Sequence, residues 1–315
     1  MKEKKNITLI VYGFVGFILL AVAVGMLVYR FDSSHPKTIY QGDETPSSET
    51  VLLDIYGISS TPIITVDDDT EVWLVQYKDG YAGLQAKEND PQITKLLQNN
   101  ENLEKKPQRI VGKFMNTSNS APNKNMISQY YDLINEMAAS ESTEFKEKLA
   151  DNTYVSLTEF QSGQTSSLIT SIIFFALSAL FFGIGLITRK RVIAAYNEVY
   201  STYPELENNI NTLYEQADFR DDELKIAIYK QHLITYYGSF SAVDLTNVEQ
   251  IYHYIFTVRR YGIAVKQASY LRVVRQNQKK PLQMPIRNIK KTTDSKLQST
   301  FDYLYQHFPY IKLGI

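Results

Sequence analysis

The chain of 315 residues has no cysteine, one tryptophan and four histidines. Without cysteine there is no disulfide framework, no thiolate metal site and no cysteine nucleophile. The histidines, His35, His232, His253 and His307, are scattered, and none stands in a metal-binding spacing such as H-E-x-x-H. A nucleophile elbow, a Walker loop and a dinucleotide fingerprint are also missing from the sequence. Carboxylates are plentiful, yet none forms a recognisable acid–base pair. These absences argue for a non-enzymatic protein with no cofactor and no metal site.

Charge of one sign is lacking overall, with a formal net charge of −1. That balance hides two long uncharged runs and two oppositely charged segments. Residues 7–29 carry no charge and follow Lys2, Lys4 and Lys5; residues 166–187 carry none and meet Arg189, Lys190 and Arg191. Each run is long enough, as a helix, to cross a hydrocarbon core of about 30 Å, and a helix satisfies its own backbone in lipid. Ala21-Val22-Ala23 has the small-x-small form of a signal-peptide cleavage site, but the apolar run continues past it, which favours an uncleaved anchor. No charged residue interrupts either run, which argues against an ion pathway through this chain alone.

Basic residues before the first run and after the second place both termini in the cytoplasm. Residues 31–166 hold 21 acidic and 11 basic side chains, and residues 189–315 hold 12 acidic and 18 basic, in keeping with an outer acidic and an inner basic domain. A cysteine-free outer domain fits the plasma membrane of a Gram-positive bacterium better than a eukaryotic secretory route. The resulting division is a cytoplasmic N-terminus (1–6), a first transmembrane helix (7–29), a flexible tether (30–48), an extracellular α+β domain with a C-terminal connector (49–165), a second transmembrane helix (166–187), a cytoplasmic helical linker (188–217) and a C-terminal domain (218–315). Ala21/Gly25 and Ala179/Gly183 are small-x-x-x-small pairs that would let helices approach, although such pairs arise readily by chance.

In the outer domain, strands are expected at 51–56, 62–66, 71–77, 81–86 and 109–114. Lys78-Asp79-Gly80 reads as a hairpin turn using positive φ. Asp90-Pro91 reads as a helix start, and Ile127, Tyr130, Ile134 and Met137 form the stripe of a second helix. Asp67-Asp68-Asp69 is weighed as a cation site but lacks the glycine and distal glutamate of a calcium loop, so a solvated turn is expected. Trp73 is expected in the core. Asn116-Thr117-Ser118 matches a glycosylation sequon, which matters only in a eukaryotic host.

In the C-terminal part the period changes to short strands at 224–229, 233–237, 240–245, 251–258, 262–266, 270–275 and 282–286. A helix follows, with Asp294 as expected N-cap, an apolar stripe of Leu297, Phe301, Leu304 and Phe308, and Pro309 as its stop. Through Leu233-Ile234-Thr235-Tyr236-Tyr237, residues 240–252 and the ending with Phe308-Pro309 and Leu313-Gly314, residues 218–315 resemble bacterial pleckstrin-homology-like domains. The whole layout resembles two-pass membrane proteins of Gram-positive bacteria. The resemblance implies a cytoplasmic β-sandwich or barrel capped by a C-terminal helix, a docking module with no reaction of its own. Lipid-binding members carry basic residues between their first two strands; here that loop offers only Lys230 and His232, so phosphoinositide recognition is not carried over.

Basic residues gather instead at Arg259, Arg260, Arg272, Arg275, Lys279 and Lys280, and again at Arg287, Lys290 and Lys291. The first six are candidate contacts with the anionic bilayer or a partner, weighed against a solvated face. Nucleic acid is not expected, because no recognition motif accompanies the modest charge. The expected function is a membrane-anchored sensor, scaffold or accessory subunit with a protein partner. The alternatives are an envelope enzyme with its site in the acidic domain, or a structural protein that forms a homo-oligomer through its spans.

Overall fold

The computed structural model describes residues 6–67, 70–117, 130–139, 141–207, 209–260 and 263–314. They form two compact units, one of residues 18–177 and the other of the remaining described residues.

Helix α1 (Ile7–Ser34) has no proline and nothing but apolar or small side chains through most of its length. It ends where Ser33 and Ser34 donate their hydroxyls back to the carbonyls of Arg30 and Phe31, at 3.0 and 2.8 Å. Such bonds compete with continued helix, and Pro36 stands just beyond. The apolar run of 7–29 is thus the N-terminal part of a longer helix.

The first sheet domain contains β1 (Thr50–Ile55), β2 (Gly57–Ile58), β3 (Ile64–Asp67), β4 (Thr70–Tyr77), β5 (Gly80–Lys87), α2 (Pro91–Gln98), α3 (Asn100–Leu103), β6 (Gln108–Asn116), α4 (Tyr130–Ala138), α5 (Thr143–Glu147) and β7 (Leu149–Ser156). The strand order is β1-β6-β7-β5-β4-β2, with β3 also on β4. One face packs Val51, Leu53, Trp73, Val75 and Leu84 against Ile93, Leu96 and Leu103. The other packs Val72, Met115 and Tyr154 against Tyr130, Ile134 and Ala138 of α4. Helices on both faces bury the central strands throughout, so their sequences do not alternate cleanly.

Several sequence expectations change here. Residues 30–48 do not form a flexible tether: Tyr40 is buried in the first core, its backbone N–H bonds the Leu52 carbonyl at 2.8 Å, and its hydroxyl lies 2.8 Å from that of Thr153. The segment read as a connector supplies β7, a strand inside the sheet that runs parallel to β5. Asp90 caps α2 as expected, accepting from Gln92 N at 2.7 Å. The β4–β5 turn is a two-residue loop, since Tyr77 pairs with Gly80. Gly80 does not adopt a positive φ there. It is glycine because a Cβ would lie 2.0 Å from the Lys148 carbonyl oxygen. Residues 68–69, part of the aspartate run, and the region of Ile127 and Ser118 lie outside the described residues.

Helix α6 (Leu157–Thr202) follows β7 without a loop and runs for 46 residues, roughly 70 Å. Ser156 accepts from Glu159 N at 3.0 Å, the N-terminal half of a capping box. Both α1 and α6 are long and apolar enough to cross a membrane.

The second sheet domain adds α7 (Ile210–Glu215), β8 (Phe219–Asp221), β9 (Ile226–Tyr229), β10 (His232–Thr235), β11 (Ser241–Asp244), β12 (Val248–Arg260), β13 (Ile263–Arg275), β14 (Leu282–Ile286), α8 (Thr293–His307) and β15 (Lys312–Gly314). They make two four-stranded sheets, β11-β10-β9-β8 and β14-β13-β12-β15. The core between the sheets joins Ile226, Ile228, Leu233 and Val243 to Ile251, Leu271, Val273 and Met284, and is closed by Leu297, Phe301 and Leu304 of α8. The strands expected at 262–266 and 270–275 are one strand, β13. Residues 188–217 are not a separate linker: Val192, Tyr196, Val199, Leu206 and Leu213 pack on the opposite face of the first sheet, against Ala227, Ile234 and Phe240. The stacked rings of Tyr196 and Phe240, 4.0 Å between centroids, sit in that layer.

Candidate interaction surface

The residues of β12 and β13 alternate between two environments. Ile251, Leu271 and Val273 point into the core. Between them Tyr252, Tyr254, Tyr270 and Arg272 are half-buried and lie outside that core. Register sets Tyr252 opposite Arg272 and Tyr254 opposite Tyr270. The Arg272 guanidinium lies 3.6 Å from the centroid of the Tyr254 ring, where the ring's negative face attracts it. The result is a tyrosine platform with a fixed cation.

The six basic residues singled out in the sequence do not make one patch. Arg259 and Arg260 are at the far end of β12, whereas Arg275 pairs with Val248 at its beginning. These ends lie roughly 40 Å apart along the strand. Lys279 and Lys280 are exposed in the turn after Arg275, where Asn277 takes a φ of 61°. Arg272 stands between the two ends. The side chain of Arg260 is outside the described residues.

Lys230 and His232 are already engaged. Lys230 bonds Glu205 at 2.9 Å, and its ammonium sits 4.8 Å from the centroid of Tyr203. His232 is buried, with Nδ1 3.1 Å from the Tyr203 hydroxyl and Nε2 3.9 Å from a Glu198 carboxylate oxygen. Burial pushes its pKa below the usual imidazole value, while Asp244 and Glu198 pull it back up. His232 is thus buried away from any anion at the surface between β9 and β10, whereas Lys230 is exposed in its ion pair.

His253 and Asp294 form a further pair, Nδ1 to Oδ1, at 2.5 Å. Asp294 therefore does not cap α8; Thr292 is at the cap and makes no side-chain capping bond. Ser269, on β13, is buried, and its hydroxyl has no hydrogen-bond partner. With no bond from Ser269 to His253, the three residues lack the contact a nucleophile needs from its base. Trp73 lies in the first core, as expected. Among the described residues no group of three or more His, Asp or Glu side chains is placed to hold a metal ion. The signal for Tyr254 and Arg272 was present in the sequence as alternation, but only the pairing register brings them together.

Comparison of the chain with protein-family models, with curated proteins and with solved structures finds no match.

Proposed function

We propose that this chain is a two-pass membrane protein with both termini in the cytoplasm, acting as a non-enzymatic sensor, scaffold or accessory subunit. The observation that carries the reading is helix α6. Its first residue, Leu157, is buried in the core of the first sheet domain, and Val192, Tyr196 and Val199 are buried in a core of the second. No loop or break interrupts α6 from Leu157 to Thr202. Charge supports the orientation: the first domain is acidic, and basic residues flank the outer ends of both apolar runs. Two four-stranded sheets, antiparallel but for the parallel pairing of β15 with β12, and closed by α8, support reading the second domain as a pleckstrin-homology-like docking module for a protein partner, with the half-buried tyrosine platform around Arg272 as its contact face.

The absence of cysteine makes the topology directly testable. In intact cells an impermeant maleimide should label a Lys78→Cys variant, and should label Lys280→Cys only after lysis; the reverse pattern overturns the orientation. Crosslinking full-length protein in cells should capture a defined partner that is lost in a Tyr254→Ala, Arg272→Glu variant. An identical set of captured proteins would sink the docking role of this face.

One observation favours a second reading, assembly through the spans. Gly25 and Gly183 have no atom within 4 Å of where a Cβ would stand, so the chain's own helix contact does not use them.

A further inference from the structure

The β12–β13 hairpin outruns the sheet it belongs to. Strand β15 pairs only with Gln250–Tyr252, and β14 only with Ser269–Val273. Strands β12 and β13 continue to pair with each other out to Arg260 and Ile263. Beyond Ile255 the hairpin is therefore a two-stranded ribbon, with no flanking strand among the described residues. Such a ribbon adds little stability alone, and exposed ribbons in soluble proteins carry polar side chains. This one exposes Ile255, Phe256, Val258 and Val265, at 43, 48, 38 and 59%. Val265 stands out because the register slips: Val258 faces Lys266 and Arg259 faces Ala264, which leaves Val265 as the extra residue of a bulge. Arg259 is exposed among them.

Apolar side chains beside basic ones are what an anionic lipid surface attracts, the first by burial in the headgroup region and the second by charge. The reach is short. Val192, five residues past the end of the apolar run at Ile187, is already buried in the domain, so the domain begins within about 8 Å of that end. A second copy is a poorer occupant, because a symmetric contact would gather the arginines of both copies around one dry patch.

We propose that the β12–β13 ribbon is a membrane-contact device, in which Ile255, Phe256, Val258 and Val265 enter the anionic leaflet and Arg259 binds lipid phosphates. It rests on the two-pass reading, with the second domain on the cytoplasmic side. The contact would hold the docking face at a fixed attitude to the bilayer.

The test uses full-length protein in nanodiscs, with an environment-sensitive fluorophore on Phe256→Cys or Val265→Cys, each the sole cysteine. In discs containing phosphatidylglycerol, both probes should shift to the blue, resist aqueous iodide and be quenched by doxyl-labelled lipid. A probe at Gln306→Cys on α8 should do none of these. Adding Arg259→Glu, or using phosphatidylcholine alone, should lower the lipid-quenched population by about fivefold or more per charge removed. Probes open to iodide and untouched by doxyl lipid would overturn the proposal. So would probes shielded from both quenchers, which is the outcome if protein covers the ribbon, or quenching equal in the two lipids. A chain that fails to enter discs at all would instead sink the two-pass reading itself.

Discussion

The hydroxyl of Ser178 donates to the carbonyl oxygen of Gly16 at 2.8 Å, inside the apolar stretches of α1 and α6. The contact is possible because Gly16 has no side chain: a Cβ there would stand 3.0 Å from the Phe182 ring. Gly185 likewise lets Tyr12 and Leu9 approach. Gly16, Ser178 and Gly185 are thus among the small residues at which these helices meet, whereas Gly25 and Gly183 have no atom within 4 Å of where a Cβ would stand, in keeping with pairs that arise by chance. Spacing identifies a small face, but only the rotation of each helix decides which face meets its neighbour.

Gly16→Ile should therefore part the helices, at a cost of about 1–3 kcal/mol from overpacking. Gly25→Ile should leave the monomer unchanged, since that position is open. Thermal unfolding in detergent separates the two, and equal losses would refute the assigned helix contact. If assembly runs through the spans, Gly25→Ile and Gly183→Ile will reduce chemical crosslinking between copies without lowering the unfolding temperature.

In the first sheet domain Gly112 tests the close packing of β6 on β7. A Cβ at Gly112 would lie 2.3 Å from Cγ1 of Val155, a fully buried side chain. Gly112→Ala should destabilise the domain by roughly 1–3 kcal/mol. Val155→Ala removes the obstructing atom, so the double variant should lose less than the sum of the single ones. A denaturant midpoint series measures this, and strict additivity would mean that Gly112 matters for another reason.

In the first domain the sequence carried every strand of six or more residues except β7. Strands β1, β4, β5 and β6 were legible because aliphatic and aromatic residues cluster between turn signals. Strand β7 was missed because Asp151, Asn152 and Thr153 interrupt it. These residues are useful in place: Thr153 donates to the Gly42 carbonyl at 3.0 Å, and Asn152 N donates to Asp43 Oδ1 at 3.2 Å, fastening residues 35–48 to the sheet. Ser156-Leu157-Thr158-Glu159 was a readable helix-start signature that would have moved the beginning of α6 back from residue 166. In the second domain, six of the eight described strands and the closing helix were legible from period, whereas the short β8 and β15 and the fate of the basic residues were not. Charge clusters in sequence need not cluster in space when a long hairpin carries them to opposite ends.

Asp90 links two helices through one carboxylate. Its Oδ1 caps α2 by accepting from Gln92 N at 2.7 Å, and its Oδ2 accepts from the Gln161 amide, in α6, at 2.8 Å. Asp90→Ala removes both and should cost about 1–3 kcal/mol, a cap and a charge-assisted bond. Asp90→Asn keeps a good cap but offers an amide N–H₂ toward Gln161, so its loss should be smaller. Chemical denaturation of the two variants gives the order, and a loss from Asn equal to that from Ala would show the cap to be irrelevant.

His232 sets a pH dependence whose sign follows from burial. Its neutral ring is held between Tyr203 and Glu198 of α6 and near Asp244 of β11, and desolvation keeps its folded pKa below the unfolded value of about 6.5. The unfolded chain then binds a proton more readily than the folded one, so stability rises with pH across that interval. Its contribution is whole above about pH 6.5 and is lost as pH falls toward the folded pKa. Unfolding temperature should decline across that window, and His232→Gln should flatten the decline relative to the parent chain. Glu198→Gln removes a carboxylate that favours the proton, so it should lower the folded pKa further and extend the loss to lower pH. A steeper decline in His232→Gln than in the parent, or a window moved upward by Glu198→Gln, would contradict the assignment of this slope to the buried ring.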